Sequence, residues 1–85
     1  MSKVRMYCTA ICPYCVRAMN LLNKKGVAVE KIRVDLDEHQ WQIMRESTGK
    51  NTVPQIFIND LHVGGYDELA RLEMAGKLDV LLNPQ

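Results

Sequence analysis

Neither sign of charge is in excess: eleven Lys and Arg stand against ten Asp and Glu, interspersed along 85 residues, for a net charge of +1. Such a chain carries no electrostatic footprint for DNA or RNA, and nucleic acid ranks last among its partners. Long apolar runs are missing too. Nothing approaches the ~20 residues needed to cross a bilayer, and no membrane partner is expected. Met1 to Thr9 mixes Lys3 and Arg5 into its apolar residues instead of forming the apolar stretch of a signal peptide, which points to the cytoplasm. Aromatics number five and glycines five, and there is no Gly-rich dinucleotide fingerprint, so any use of NADPH falls to a separate protein. A chain this short buries about 60% of its unfolded surface, enough for one domain with one modest core and too little for an enclosed substrate chamber. The three cysteines make an odd count, a poor framework for a small disulfide-stapled secreted fold.

What is present is a regular alternation of strand and helix patterns. Lys3-Val4-Arg5-Met6-Tyr7 alternates polar and apolar, as a strand with one buried face does. From Pro13 the period changes: Cys15, Ala18, Met19 and Leu22 share one helical face, and Lys24-Lys25-Gly26 ends the helix. Val27 to Leu36 reads as a second strand, with Ile32, Val34 and Leu36 on one side. Asp37 caps a helix that turns Trp41 and Met44 inward and stops at Gly49. Gln55 to Ile58 and Leu61 to Val63 form a hairpin across Asn59-Asp60, residues that tolerate the positive φ of a two-residue turn. Tyr66 to Ala75 is a helix with Leu69 and Leu72 inward, closed by Gly76, and Leu78 to Leu82 adds a last helical turn. The first two strands require a parallel crossover and the last two pair antiparallel, so the fold class is α/β with a four-stranded mixed sheet flanked by helices.

Cys12-Pro13-Tyr14-Cys15 falls where the first strand gives way to the first helix. Cys12 takes the N-cap and Pro13 the first helical position, where its missing N–H carries no penalty. Unpaired amides and the positive end of the helix dipole favour the thiolate form of Cys12, through the N–H of Tyr14 or Cys15. Cys15, three residues on, shares that face, so the two sulfurs can bond reversibly. Stabilising a thiolate raises its ionised fraction but lowers its nucleophilicity along a Brønsted slope of ~0.4 to 0.5, and attack gains little. The benefit falls on the next step, because such a sulfur leaves readily when a second thiol attacks. The chemistry is thiol–disulfide exchange.

The other use of such a pair is half of a zinc site. It would need a second close pair of ligands, whereas His39 and His62 lie 23 positions apart with no cysteine beside either. Both histidines read as solvent-facing, and no metal is expected. Cys8 reads as a small apolar residue at a strand end, or more sharply as a regulatory thiol.

Two further segments could receive a ligand. Thr52-Val53-Pro54 precedes the hairpin, and a cis Val53-Pro54 bond would free the Val53 backbone to pair with an extended peptide-like molecule; on the residues alone, a trans proline opening an edge strand is the default. Gly64-Gly65 leads into Tyr66-Asp67-Glu68, a second helix N-terminus where amides could take a carboxylate and Asp67 or Glu68 an ammonium. The plain alternative is a turn followed by acidic first-turn residues. Lys50 and Arg17 are solvated charges by default, and either could pair with a second ligand carboxylate.

Together Cys-Pro-Tyr-Cys, Thr-Val-Pro-Gln-Ile-Phe-Ile about forty residues later and Gly-Gly-Tyr-Asp-Glu-Leu resemble a short bacterial dithiol glutaredoxin over essentially the whole chain, residues 1–85, as one domain. The resemblance implies a thioredoxin-like fold, a cis Val53-Pro54 bond and glutathione as the reducing co-substrate. By position, Cys12 resembles the nucleophile and Cys15 the resolving cysteine. Tyr14 resembles the aromatic beside the glutathione sulfur, and Thr52, Val53 and Pro54 the clamp on its cysteinyl backbone. Gly65, Tyr66, Asp67 and Glu68 resemble the γ-glutamyl pocket, and Lys50 the cation for the glycyl carboxylate. Implied partners are glutathionylated or disulfide-bearing proteins and, indirectly, an NADPH-dependent glutathione reductase, with the protein itself a monomer. Two positions depart from the family pattern: Thr9 stands where many members have Lys, removing one cation near the thiols, and Cys8 stands where Thr or Ser is more frequent. Other readings of the same residues are an iron–sulfur or metal carrier using Cys12 and glutathione, which the rigid ring of Pro13 crowds, and a redoxin reduced by thioredoxin reductase, which the Tyr66-Asp67-Glu68 pocket disfavours.

Overall fold

A computed structural model describes residues 3–83. Its elements run β1 (Val4–Cys8), α1 (Pro13–Lys24), β2 (Val29–Arg33), α2 (Glu38–Thr48), β3 (Gln55–Ile58), β4 (Leu61–Gly64), α3 (Tyr66–Met74) and α4 (Leu78–Leu82). The strands lie in the order β2-β1-β3-β4. β1 pairs parallel with β2, Tyr7 opposite Ile32, and antiparallel with β3, Met6 opposite Ile56; β3 and β4 close the hairpin.

The sheet is covered on both faces, and strand alternation decides which residue meets which layer. Val4, Met6, Cys8, Ile56 and Ile58 face α1, α3 and α4, where Cys15, Ala18, Leu22, Leu69, Leu78 and Leu82 complete the larger core. Tyr7 and Phe57 point the other way, onto Val34 and Met44 under α2, with Trp41 packed alongside. β1 therefore differs from the strand expected on one buried face. Its outward side is covered from Tyr7 onward, which is only 3% exposed, and Arg5 spreads its guanidinium 5.0 Å over the Phe57 ring.

Chain signals at the helix ends act as anticipated. The Asp37 carboxylate accepts from the N–H groups of His39 and Gln40, and Gly49 ends α2 at φ 71. β2 stops at Arg33, three residues short of the expected Leu36. The Asp35 carboxylate binds Arg33 through two guanidinium nitrogens at 2.7 and 2.8 Å, and the Leu36 N–H closes a turn onto the Arg33 carbonyl at 3.3 Å. Leu36, expected inward, is thrown into solvent at 74% exposure. Of the two turn residues only Asn59 adopts positive φ, at 55, while Asp60 does not. Pairing jumps from Phe57–His62 to Ile56–Gly64, so β4 carries one extra residue at Val63, a bulge just past His62, which lies opposite Phe57.

Candidate active site

Cys12 is the N-cap of α1 in extended backbone, φ −148 and ψ 101, with Pro13 following. The Cys15 N–H donates to Cys12 Sγ at 3.3 Å, and the Cys12 thiol lies 3.8 Å from the Val53 carbonyl, onto which it donates. Of the two amides proposed from sequence, Cys15 and not Tyr14 meets the sulfur. Cys12 is half-buried, whereas Cys15 is only 4% exposed on the core side of the helix. Burial, followed by its bond to Cys12, pushes the Cys15 thiol up to about 12. All three cysteines are free. Cys8 is fully buried, its thiol donates to the Ile32 carbonyl at 3.7 Å, and burial raises its pKa despite the nearby cations Lys31 and Arg33.

The loop that brings β1 to Cys12 is tied from the neighbouring strand's end. Asp35 accepts the Ala10 N–H at 3.1 Å while held by Arg33, and that guanidinium first, then the Ala10 amide, keeps the Asp35 carboxyl well below the usual carboxylate range.

Beside the Val53 carbonyl opens a cavity of about 310 Å³ lined by Tyr14, Lys50, Thr52, Val53, Pro54, Gly65, Tyr66, Asp67 and Glu68, along with Gln55, His62, Val63 and Gly64. All nine non-cysteine positions that the resemblance assigns to glutathione thus share one cavity. Arg17 is not among them: its guanidinium stacks 5.3 Å over the Tyr14 ring, and that ring sits 6.3 Å from Tyr66 across the mouth. The Val53-Pro54 bond is cis, and Pro54 precedes a central strand instead of opening an edge strand. Gly65 caps α3 with no side chain of its own, and a Cβ there would lie 3.4 Å from the Pro54 carbonyl, so the start of α3 and the Pro54 backbone face each other closely. Thr48 Oγ1 accepts the Lys50 N–H at 3.0 Å, fixing the backbone that carries the Lys50 ammonium. Cation on one wall and two carboxylates beside a helix N-terminus on the other complement a small zwitterion.

A smaller cavity of about 130 Å³ lies beside Cys12 and Cys15, bounded by Met6, Thr9, Val16 and Lys31. Among the described residues, no group of three or more His, Cys, Asp or Glu is placed to hold a metal ion, and no helix is long and apolar enough to cross a membrane.

His39 is exposed as expected, but His62 is not simply solvent-facing: it is half-buried and its Nε2 meets Gln55 Oε1 at 2.8 Å. Gln55, overlooked as a site residue, is 3% exposed and also binds Thr52. The available signal was a polar residue at the head of a strand whose other members are all apolar.

A model of the glutaredoxin family matches residues 4–63. The chain belongs to the glutaredoxin family. It is 50% identical over 82 residues to glutaredoxin 1 of Rickettsia typhi, covering 94% of this chain and 79% of that one. To the glutaredoxin of Neisseria meningitidis serogroup A it is 46% identical over 85 residues, covering 99% and 100%. Its fold matches the crystal structure of a buckwheat glutaredoxin–glutathione complex with a TM-score of 0.88 at 27% identity, over 95% of this chain and 76% of that one. The thioredoxin-like fold and thiol–disulfide oxidoreductase chemistry follow from that membership.

Proposed function

We propose that this glutaredoxin is a single-domain, glutathione-dependent oxidoreductase in which Cys12 attacks and Cys15 resolves. The observation that carries this reading is the Cys12 sulfur 3.8 Å from the Val53 carbonyl, at the edge of a cavity bearing Lys50 on one wall and Asp67 and Glu68 on the other. Glutathione has one ammonium, two carboxylates and a central thiol, and this layout suits it: α3 amides with Asp67 or Glu68 for the γ-glutamyl end, Thr52 and Val53 backbone for the cysteinyl part, Lys50 for the glycyl carboxylate. The buckwheat relative's complex with glutathione supports the same ligand.

With a glutathionylated protein, the Cys12 thiolate attacks the glutathione sulfur, the protein thiolate leaves and takes up a proton, and Cys12 carries the mixed disulfide. A second glutathione thiolate attacks that glutathione sulfur, releasing oxidised glutathione and Cys12 thiolate. With a protein disulfide, Cys12 forms the mixed disulfide with the protein, Cys15 gives up its proton and attacks Cys12 Sγ, and the second protein thiolate departs. The resulting Cys12–Cys15 disulfide is reduced by two glutathione molecules, and a separate NADPH-dependent reductase recycles their disulfide. The amide pointing at Cys12 Sγ stabilises that sulfur each time it leaves as thiolate.

Cys15→Ser should keep deglutathionylation and lose reduction of protein disulfides, while Cys12→Ser loses both. Equal loss of both activities in the two variants would refute the division of roles.

A further inference from the structure

Behind the cavity wall lies a polar pair that the exchange steps do not use. Gln55 is the one buried polar residue among those described, 3% exposed in a strand otherwise made of apolar side chains. Its amide nitrogen donates to the Thr52 carbonyl at 2.9 Å and to Thr52 Oγ1 at 3.3 Å, and its Oε1 lies 2.8 Å from His62 Nε2. A carbonyl can only accept, so the end of the amide facing Thr52 is the NH2, and Oε1 necessarily faces the imidazole. That requires His62 Nε2 to carry the proton. His62 pairs with Phe57 in the same register as Leu61 with Ile58, one residue before the β4 bulge, and the two rings lie 5.0 Å apart. Three hydrogen bonds thus run from β4 through the head of β3 to the residue before Val53.

We propose that His62 and Gln55 are positioning residues for the glutathione clamp: the His62 N–H orients the Gln55 amide, and that amide holds the Thr52 carbonyl and hydroxyl so that the Thr52-Val53 backbone presents to the ligand beside Cys12. This rests on the glutathione reading above. Without the imidazole donor, Gln55 Oε1 is buried with no partner, and the amide relaxes by rotating or admitting water, either of which releases Thr52. The loss falls on capture of glutathione, because Cys12 is held separately, by the Cys15 N–H at the head of α1.

His62→Phe keeps a ring against Phe57 and removes the donor; His62→Gln restores a donor of similar reach. His62→Phe should raise the KM for glutathione about tenfold, the scale of one lost hydrogen bond to a buried group, with kcat nearly unchanged. His62→Gln should return KM close to wild type. Reduction of the Cys12–Cys15 disulfide by dithiothreitol, which does not use the clamp, should be the same in all three proteins. An unchanged KM in His62→Phe, equal damage in both variants, or parallel loss with both reductants would overturn the relay. Nitrogen NMR of the wild-type protein gives a readout independent of either variant's folding: the neutral His62 ring should carry its proton on Nε2, and a proton on Nδ1 would overturn the relay. A wild type showing no preference for glutathione over dithiothreitol would overturn the underlying glutathione reading as well, whereas a preference combined with an unaffected His62→Phe would sink the relay alone.

Discussion

Cys15 should resist alkylation strongly while Cys12, one helical turn earlier, does not. Burial and its contact with Cys12 push the Cys15 thiol from 9.0 to about 12, which lowers its ionised fraction near neutral pH by about a thousandfold. A more basic thiolate is a better nucleophile, and a Brønsted slope of ~0.4 to 0.5 restores roughly 16- to 32-fold of that. The net is a reaction about 30- to 60-fold slower than that of a free cysteine, before the 4% exposure of the residue is counted. Timed iodoacetamide labelling of the reduced protein, with peptide mapping of Cys12 and Cys15 against a urea-unfolded control, measures this directly. Labelling of Cys15 at the rate of the unfolded control, or ahead of Cys12, would refute the reasoning. The same environment suits a resolving thiol. Once Cys12 is tied up in a mixed disulfide, the thiol contact that adds to burial in raising the Cys15 pKa is gone, so Cys15 becomes easier to ionise at the step that needs it.

Stability should fall as pH rises past about 9, because the thiols of Cys8 and Cys15 ionise in the unfolded chain while burial keeps them protonated in the fold; urea midpoints independent of pH there would contradict it. At the acid end the sign reverses: Asp35, depressed by Arg33, contributes stability above the ordinary carboxylate range that is lost as pH falls, and Asp35→Asn should flatten that limb. Gly64→Ala places a Cβ 3.1 Å from the Glu68 side chain at φ 116, and should cost about 1 to 3 kcal/mol in urea unfolding while raising the KM for glutathione. A neutral effect on both would mean Glu68 does not need its present position. Asp67→Asn should raise the KM for glutathione about two- to fivefold, the scale of one exposed ion pair, with no change in dithiothreitol-driven turnover.

Much of the molecule was legible because its local signals agree with its packing. Asp37, Gly49 and Pro13 act by short-range backbone chemistry that the fold does not override, and Ala18, Leu22 and Leu69 fall on the faces their periodicity assigns. The divergences arise where a distant contact decides. Tyr7 is buried because α2 covers the second sheet face, which alternation within one strand cannot reveal. β2 ends early because Asp35 prefers Arg33 and the Ala10 amide to a place in the ladder. Arg17 stacks on Tyr14, a residue three positions earlier on its own helix, and so stays outside the cavity. The Gln55–His62 bond joins residues on two strands through a bulge at Val63 that no sequence pattern announced.

Trapping decides most directly which sulfur performs the chemistry. Cys15→Ser incubated with oxidised glutathione, then digested and mapped by mass spectrometry without reduction, should carry one glutathionyl group, bonded to Cys12. Attachment to Cys8 instead, or failure to form any adduct while the protein remains folded, would contradict the assignment of Cys12 as the attacking thiol.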